Sequence, residues 1–236
     1  MGLFGSNQLA EAAIDLFFPK SCIGCGKTGD FICPSCEEKL TRLVPQICPK
    51  CGKPMASGIV CPSCWQERSA IDGIRSSFLF DNVARKAIHQ LKYYNLKAIS
   101  PYLAQFLADC LTANALPGEV LVPVPLYPKR LKQRGYNQSG LLARELSKLI
   151  NLPVIESCLI RVKQAQPQVK TTNVEERRKN VIDAFACRDE SVSGKQIILI
   201  DDVCTSGATL ESCASALKNK GASSVWGLTL AREFQK

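Results

Sequence analysis

The clearest hydrophobic pattern in the chain begins at Ile197, where four apolar residues, mostly β-branched, follow one another. Such a run predicts a strand buried on both faces, because it leaves no side for water. The carboxylates Asp201 and Asp202 and a short Thr-Ser-Gly turn come next, and apolar residues then recur at helical spacing from Leu210 to Leu217. The stretch predicts a buried strand, an acidic pair, a short loop and a helix.

The same patterns predict further elements of an α/β fold. Apolar stripes at helical spacing predict helices at 9–18, 83–91, 103–111 and 142–150, and apolar runs predict strands at 120–125, 152–160 and 182–186. Strands that alternate with helices favour a central parallel sheet. Residues 164–180 are polar, and a segment of that length predicts a mobile loop, either a lid over a ligand or a disordered surface loop.

The loop after the buried strand has the chemistry of a sugar-phosphate site. A glycine lets the backbone come close to a ligand, and the free N–H groups of the following helix attract a phosphate. Asp201 and Asp202 are acceptors that suit the hydroxyls of a ribose. The alternative is a plain strand end and helix cap. The candidate ligand-binding residues are Thr205, Ser206, Gly207, Ala208 and Thr209.

Basic residues cluster in the second half of the chain. The net charge is +9, and residues 127–178 hold 11 Lys and Arg against 4 Asp and Glu. Four of them, Lys129, Arg130, Lys132 and Arg134, lie on a loop that follows the predicted strand at 120–125. Ligands collect at the carboxyl ends of strands in open α/β sheets, so this loop is predicted to face the same pocket and meet a pyrophosphate. A nucleic-acid surface is the competing interpretation.

Eight of the 13 cysteines form four C-x₂-C pairs. Cysteines at this spacing can direct both thiolates at one ion, and Zn²⁺ is favoured because closed four-cysteine sites select it. The spacing leaves open two sequential sites, two interleaved sites, or one occupied site beside a degenerate one. Iron–sulfur ligation is a weaker fit. The candidate metal ligands are Cys22, Cys25, Cys33, Cys36, Cys48, Cys51, Cys61 and Cys64.

The surroundings of these cysteines favour a structural role inside the cell. Residues 1–70 hold 7 basic and 6 acidic residues, which favours scaffolding over nucleic-acid binding. The apolar stretch at 9–18 lacks a basic leader and is not expected to be a signal peptide. No apolar run of about 18 residues occurs, so no membrane span is predicted. We therefore expect a reducing, cytoplasmic location without disulfides.

The helix predicted at 83–91 also carries polar residues of interest. Arg85, His89 and Lys92 would share the helical face opposite the apolar stripe. This face is either solvated or in contact with a ligand, and the pattern does not choose between the two. His89 is the only histidine, so it is the one side chain whose ordinary pKa lies near neutrality.

The segment 197–209 resembles the ribose-phosphate motif of the type I phosphoribosyltransferases, and the chain as a whole resembles the ComF family. The second resemblance rests on the paired cysteines, Val-Pro-Val-Pro at 122–125, Arg-Leu-Lys-Gln-Arg-Gly-Tyr-Asn-Gln at 130–138, Glu-Arg-Arg-Lys-Asn-Val at 176–181 and Asp-Asp-Val-Cys-Thr-Ser-Gly-Ala-Thr at 201–209. It implies a zinc-knuckle domain over 1–70 and a phosphoribosyltransferase-like domain over 71–236.

The resemblance also implies a function and assigns residues to it. It implies that Asp201 and Asp202 hold the ribose of phosphoribosyl pyrophosphate and carry any catalysis, with Mg²⁺ as cofactor. The basic loop would meet the pyrophosphate, and Arg177 and Arg178 would belong to a mobile ligand-binding loop. The family is linked to DNA uptake in natural transformation. A non-enzymatic factor that binds single-stranded DNA or the uptake machinery, with the sugar phosphate as regulator, is therefore the rival hypothesis.

Overall fold

The computed structural model describes residues 20–43, 46–55, 59–66, 69–162 and 184–234. Within these ranges the helices are α1 (Pro34–Glu37), α2 (Pro62–Gln66), α3 (Asn82–Tyr93), α4 (Ser100–Ala113), α5 (Pro128–Arg134), α6 (Gln138–Ile150) and α7 (Ala208–Lys218). The strands are β1 (Gly73–Leu79), β2 (Val120–Pro123), β3 (Leu159–Arg161), β4 (Phe185–Cys187), β5 (Gln196–Cys204) and β6 (Ser224–Arg232). The predicted helix at 9–18 and the polar segment at 164–180 lie outside the described residues.

A parallel four-stranded sheet forms the centre of the fold, with the strand order β1-β6-β5-β2. The predicted buried strand is β5, which lies between two neighbours. Its side chains alternate between the layers: Ile198 and Ile200 pack into one core cluster, and Ile197 and Leu199 pack into the other. All four are fully buried, as a run without a polar face requires. The predicted α/β fold with a central parallel sheet is confirmed.

Helices cover one face of this sheet and a mixed layer covers the other. Residues of α3, α4 and α6, among them Leu91, Leu107 and Leu146, form the first cluster. The second cluster contains Leu210 and Leu217 of α7 together with residues of the antiparallel pair β3–β4. All four predicted helices within the described ranges are confirmed. None of these helices combines the length and hydropathy that a membrane crossing requires.

Two strand predictions need correction. The predicted strand at 152–160 is divided: Val154 makes an isolated parallel bridge to Leu121 at the sheet edge, and only 159–161 form a strand, which pairs with β4. Of the strand predicted at 182–186, residues 182 and 183 lie outside the described residues, and the described part forms a strand from Phe185 to Cys187. In the segment 152–160 the chain turns away from the main sheet between the two pairings, so its two ends belong to two different sheets.

The cysteine-rich segment lies along β1, which would otherwise be an exposed edge of the sheet. Arg42 forms an antiparallel bridge with Phe78, and the N–H groups of Leu43 and Leu79 bond to the carbonyls of Ser77 and Thr41 at 3.2 and 2.9 Å. These bonds occupy strand groups that could pair with another chain. The predicted division at residue 70 remains a prediction, but the cysteine-rich segment contributes to the edge of the sheet.

Candidate functional site

The acidic pair lies at the carboxyl end of β5, and a lysine from α3 reaches it. Lys92 Nζ is 2.8 Å from Asp202 Oδ1, and the two side chains are 21% and 4% exposed. Tyr136 donates a hydrogen bond to the carbonyl of Leu91 and thereby fixes the last turn of α3. The apolar stripe of α3 faces the core, so Lys92 extends from its margin toward the end of the sheet. Lys92 is thus a site residue, whereas the sequence left it between solvent and ligand.

Asp201 is held by a different element, the start of α6. Its Oδ1 accepts hydrogen bonds from Ser139 Oγ and from the backbone N–H of Asp202, both at 2.9 Å. Ser139 is positioned by the helix cap, because Asn137 Oδ1 accepts from the Ser139 N–H at 3.2 Å. Asn137 also donates to the carbonyl of Val124 at 3.0 Å. The segment 137–139 therefore joins the end of β2 to the acidic pair.

The electrostatics of the pair are set by burial and by Lys92. Burial lowers the pKa of the Lys92 ammonium, but Asp202 outweighs it and the pKa is raised. Burial and the neighbouring Asp202 raise the pKa of Asp201 to about 7. Within the described residues Asp202 Oδ2 is buried and has no hydrogen-bond partner. The site therefore holds a carboxylate oxygen free to accept from a ligand and a second carboxyl that titrates near neutrality.

The raised pKa of Asp201 predicts a pH-dependent stability. The folded chain binds a proton at Asp201 up to about pH 7, whereas an unfolded carboxyl loses it near pH 4. Stability from this group is thus complete below about pH 4 and declines as pH rises through about 7. In Asp201→Asn, which keeps an Oδ1 acceptor, we expect the free energy of unfolding relative to wild type to rise between about pH 5 and pH 8.

Urea unfolding at several pH values checks this expectation, with Asp189→Asn as the control. The pKa of Asp189 is lowered by its hydrogen bonds to Ser191, so it is ionised in the folded and the unfolded chain between about pH 5 and pH 8, and its removal should not change the pH dependence there. Parallel stability curves for wild type and Asp201→Asn would show that Asp201 titrates normally.

The loop at 205–209 connects β5 to α7 beside the acidic pair. Gly207 is the N-cap of α7 and has a φ of +84°, a left-handed conformation that other residues adopt with strain. The N–H of Ala208 lies 3.4 Å from Ser206 Oγ, and Thr205 and Thr209 are half-buried. The loop presents backbone N–H groups and three hydroxyls at a helix N-terminus, which suits a phosphate. Strand, acids, loop and helix occur in the predicted order.

The basic residues at 129–134 lie on α5, which follows β2 at the same end of the sheet. Lys129, Arg130 and Lys132 are exposed. Arg134 is half-buried, donates to Gln138, and lies 5.5 Å from the ring centroid of Tyr93, the neighbour of Lys92. The structure thus places Arg134 against Tyr93 and leaves the other three in solvent. Arg177 and Arg178 lie outside the described residues, so their role stays a prediction.

Arg161 is a cation of the site that sequence patterns did not single out. It ends β3, and its guanidinium lies 5.2 Å from the ring centroid of Phe185. Burial lowers the pKa of Arg161, Arg130 lowers it further, and Asp201 raises it. The charges of both the acidic pair and the basic helix α5 therefore act on Arg161. His89, by contrast, is exposed and packs edge-on against Tyr93 at 5.3 Å between ring centroids.

The eight paired cysteines form two sequential four-cysteine groups. The first site consists of Cys22, Cys25, Cys33 and Cys36, and the second site of Cys48, Cys51, Cys61 and Cys64. Within each group all sulfur atoms lie within 4.8 Å of one another, and one sulfur pair in each is 3.7 Å apart. A tetrahedral ion with Zn–S bonds of about 2.3 Å separates its sulfurs by about 3.8 Å. The donors fit zinc, and the interleaved arrangement is excluded.

Backbone N–H groups favour thiolates in both sites. The N–H of Cys33 points at Cys22 Sγ at 3.4 Å, and the N–H of Cys61 points at Cys48 Sγ at 3.3 Å. Burial raises the pKa of Cys22 and of Cys48, but these and other N–H groups outweigh it and lower each pKa to about 6. Thiolates are the form that binds zinc. The two sites repeat the same local geometry, as the repeated sequence predicts.

Profiles of known protein families match both the cysteine-rich segment and the segment that contains the acidic pair. The profile of the double zinc ribbon domain matches residues 13–66, and that of the phosphoribosyl transferase domain matches residues 132–234. The first covers both cysteine sites, which supports structural zinc. The second covers α5 partly and the acidic pair, the loop and α7 entirely.

Relatives that match most of the chain carry names that refer to competence or to DNA utilization. Competence protein ComFC of Bacillus subtilis is 33% identical over 87% of this chain and 86% of its own length. Competence protein F of Haemophilus influenzae is 29% identical over 91% and 99%. DNA utilization protein YhgH of Escherichia coli is 29% identical over 85% and 90%. With both of its domains matched and with relatives over nearly its whole length, the chain belongs to the ComF family of competence proteins.

Proposed function

We propose that this chain binds phosphoribosyl pyrophosphate at the carboxyl end of β5. The observation that carries the proposal is the acidic pair itself: Asp202 has one oxygen paired with Lys92 and another that is buried without a partner among the described residues. A buried acceptor without a donor is costly unless a ligand supplies one. The vicinal hydroxyls of a ribose supply two donors, and the adjacent 205–209 loop supplies a phosphate site at the matching position.

Each part of the ligand has a complementary group. The ribose hydroxyls donate to Asp201 and Asp202, and the 5′-phosphate accepts from the N–H groups and hydroxyls of the 205–209 loop. The pyrophosphate takes its charge neutralisation from Arg134, from Arg161 and from the exposed basic residues of α5. The match to the phosphoribosyl transferase domain supports this assignment of the site.

Mg²⁺ fits the same donor set. Carboxylate oxygens and substrate phosphates are its usual ligands, and the unpartnered Asp202 Oδ2 is an oxygen of that kind. When bound, the ion neutralises charge on the pyrophosphate and thereby makes it a better leaving group. The residues of this chain hold the ribose and orient its anomeric carbon.

Transfer of the phosphoribosyl group is the chemistry that this arrangement supports. A nucleophile forms a bond to the anomeric carbon and loses a proton, while the bond from that carbon to pyrophosphate breaks and its electron pair leaves with the pyrophosphate. Positive charge builds on the ribose ring in between, and the carboxylates of Asp201 and Asp202 stabilise it electrostatically. Release of pyrophosphate on addition of a nucleobase, lost in Asp201→Asn, would establish a transferase; binding without release would establish a regulatory ligand.

A pair of glycine substitutions tests the loop. Gly207 and Gly194 both have positive φ values, +84° and +72°, so alanine at either position is expected to cost about 1 kcal/mol of stability. Only Gly207 belongs to the loop. We therefore expect phosphoribosyl pyrophosphate with Mg²⁺ to raise the Tm of wild type and of Gly194→Ala, and to raise that of Gly207→Ala much less, in a thermal melt.

The melt distinguishes a strained loop from a generally weakened fold, since both variants carry the same strain. Equal ligand-induced shifts in the two variants would contradict a phosphate site at 205–209. No shift in wild type at a ligand concentration of millimolar order would contradict the proposed ligand.

Nucleic-acid binding is a second candidate function, favoured by an exposed group of aromatic and basic side chains. Tyr93 and Tyr94 are 66% and 69% exposed, and Arg134 stacks on Tyr93 at the end of α5. Aromatic faces beside basic residues bind single strands by base stacking and phosphate contacts. Single-stranded DNA is the polymer to test, since the names of the relatives concern competence and DNA utilization.

Salt dependence and substitution separate this candidate from the first. Replacement of Tyr93 by alanine is expected to weaken binding of an oligonucleotide by about 1–3 kcal/mol, with an affinity that falls steeply as salt rises. Binding that survives Asp201→Asn would place DNA outside the ribose site. Binding that is unaffected by Tyr93→Ala and by salt would contradict this surface.

A further inference from the structure

The second zinc site is attached to the strand that supports the 205–209 loop. The two residues inside its first knuckle, Pro49 and Lys50, accept hydrogen bonds through their carbonyls: from Arg75 Nη1 at 2.9 Å and from the N–H of Ile74 at 2.7 Å. These bonds are short and join the knuckle to the beginning of β1. A change in the conformation of this knuckle would therefore displace the backbone of Ile74.

Ile74 also contacts the loop. Its side chain is buried, and a Cβ placed on Gly207 would lie 3.4 Å from Ile74 Cδ1. The backbone of Ile74 thus holds the second site and its side chain packs under the turn that begins α7. One residue links the zinc knuckle to the loop.

A second connection runs through Glu211, in the first turn of α7. Glu211 accepts three hydrogen bonds from the segment that follows the last zinc ligand: from Ser69 Oγ at 2.5 Å, from the N–H of Ala70 at 2.6 Å and from the N–H of Ile71 at 3.3 Å. An acidic side chain in a first turn is favourable for any helix. In this chain, however, the carboxylate oxygens of Glu211 accept hydrogen bonds from a different segment, residues 69–71.

The same segment also contacts the C-terminal end of α7. Asp72 Oδ2 lies 3.0 Å from Lys218 Nζ and accepts from the N–H of Val225 at 2.6 Å. Residues 69–72 therefore contact both the first and the last turn of the helix whose N-terminus carries the loop. The segment 69–72, which follows the second zinc site in the sequence, therefore holds α7 near both of its ends.

The first zinc site has different neighbours. Lys86 of α3 donates to the carbonyl of Gly24 at 3.2 Å, and Tyr102 of α4 donates to Asp30 at 2.9 Å. The ring of Phe31 packs edge-on against that of Tyr102. Among the residues whose structure is described, no hydrogen bond joins this site to the 205–209 loop or to α7. The two zinc sites have similar sequences but contact different parts of the fold.

We infer that Glu211 is a positioning residue that couples the second zinc site to the 205–209 loop, so that zinc in this site and a phosphate ligand in the loop stabilise each other. The inference rests on the proposed binding of phosphoribosyl pyrophosphate. Coupling between two sites is reciprocal: the factor by which the ligand raises zinc affinity equals the factor by which zinc raises ligand affinity. The first zinc site takes no part and serves as an internal reference.

Equilibrium competition for zinc tests the coupling. The full chain with both zinc ions is titrated with a chromophoric chelator, 4-(2-pyridylazo)resorcinol, with and without Mg²⁺ and phosphoribosyl pyrophosphate. Cys25→Ser and Cys64→Ser assign the two steps to the first and second site. Zinc binding by the free ligand affects both steps equally and cancels in their ratio. A second readout is the cadmium-113 resonance of each site in the cadmium-substituted chain, which does not require any substitution.

We expect the ligand to raise the zinc affinity of the second site relative to the first by about fivefold or more. The ligand should shift only the second cadmium resonance. Glu211→Gln, which replaces one of the two accepting oxygens by an NH₂ donor, should reduce the ratio to less than about twofold while both zinc ions remain bound. Glu145→Gln, which changes a half-buried acid of α6 that pairs with Lys148, should keep the wild-type ratio.

The outcomes separate this inference from the proposed function. An equal change at both sites, no change at either, or an unaltered ratio in Glu211→Gln would overturn the coupling if calorimetry still detects ligand binding. Absence of calorimetric binding by wild type would overturn the proposed function and the coupling with it.

Discussion

Removal of zinc from both cysteine sites is expected to unfold the ribbons and to cause the whole chain to aggregate. Within the described residues the ribbons bury only a few large apolar side chains, chiefly Phe31, Ile32, Leu40 and Ile47. Structural zinc sites supply about 10 kcal/mol or more of folding free energy in such small modules. Loss of the ribbons also uncovers β1, whose free N–H and C=O groups then form an unprotected sheet edge.

Thermal melts followed by circular dichroism and light scattering measure this effect with and without a strong zinc chelator. Cys48→Ser is expected to lower zinc content and Tm together. Cys187→Ser is the matched control, because Cys187 is half-buried, lies outside both sites and donates a hydrogen bond to the carbonyl of Asp189 at 3.3 Å. A chelated protein that melts at the same temperature as the zinc-loaded protein would show that zinc is not structural here.

Replacement of Lys92 by methionine has the second-largest expected effect. It would leave the Asp202 carboxylate, 4% exposed, without its ion partner at 2.8 Å. Loss of one member of a buried pair costs about 3–5 kcal/mol, and the lower end applies because the lysine is partly exposed. We expect a matching fall in the free energy of unfolding, measured by urea titration.

The double variant Lys92→Met/Asp202→Asn should recover part of this loss, since neither charge then remains buried alone. Arg85→Met on the same helix is the control. Arg85 pairs with Glu233 at 3.8 Å with both side chains mostly exposed, and such a pair contributes about 0–1 kcal/mol. A cost for Lys92→Met no larger than that for Arg85→Met would mean that the ion pair does not form in solution.

Local chemistry made much of the site predictable. The apolar run of β5, the carboxylates at its end and the glycine turn are contiguous, so strand, acids, loop and helix follow from one stretch of sequence. The four C-x₂-C pairs were equally predictable as metal ligands, because metal ligation imposes a fixed spacing. The division of these pairs between a first and a second site could not be predicted, since both sequential and interleaved arrangements satisfy that spacing.

Long-range contacts explain what was missed. Lys92 lies 110 positions from Asp202 in the sequence, and a helical pattern cannot tell a lysine that reaches the sheet from one in solvent. Strands β1 and β6 were not predicted because polar residues interrupt them. Ser76 and Thr229 are buried there and satisfy each other by a hydrogen bond of 2.7 Å across the two strands. Such a pairing is visible only once the strands are adjacent.

The sequence located the cluster of basic residues but did not show which of them lie near the site. A cluster over 129–134 predicted one ligand-facing loop, yet α5 is a short helix and distributes its side chains around an axis. Arg134 therefore turns toward Tyr93, whereas Lys129, Arg130 and Lys132 are exposed. Arg161 reaches the site from β3, a strand too short for its pattern to indicate which residues face the pocket.

Calorimetric titration of the chain with phosphoribosyl pyrophosphate in the presence of Mg²⁺ tests the central proposal most directly. Wild type should bind with measurable heat, and near pH 7 that heat should depend on the buffer, because ribose hydroxyls that donate to Asp201 favour its ionised form and so release its proton. The double variant Asp201→Asn/Asp202→Asn should bind at least about a hundredfold more weakly, by loss of two charged acceptors. Equal heats from the two proteins, or none from wild type, would contradict a ribose-phosphate site at the end of β5.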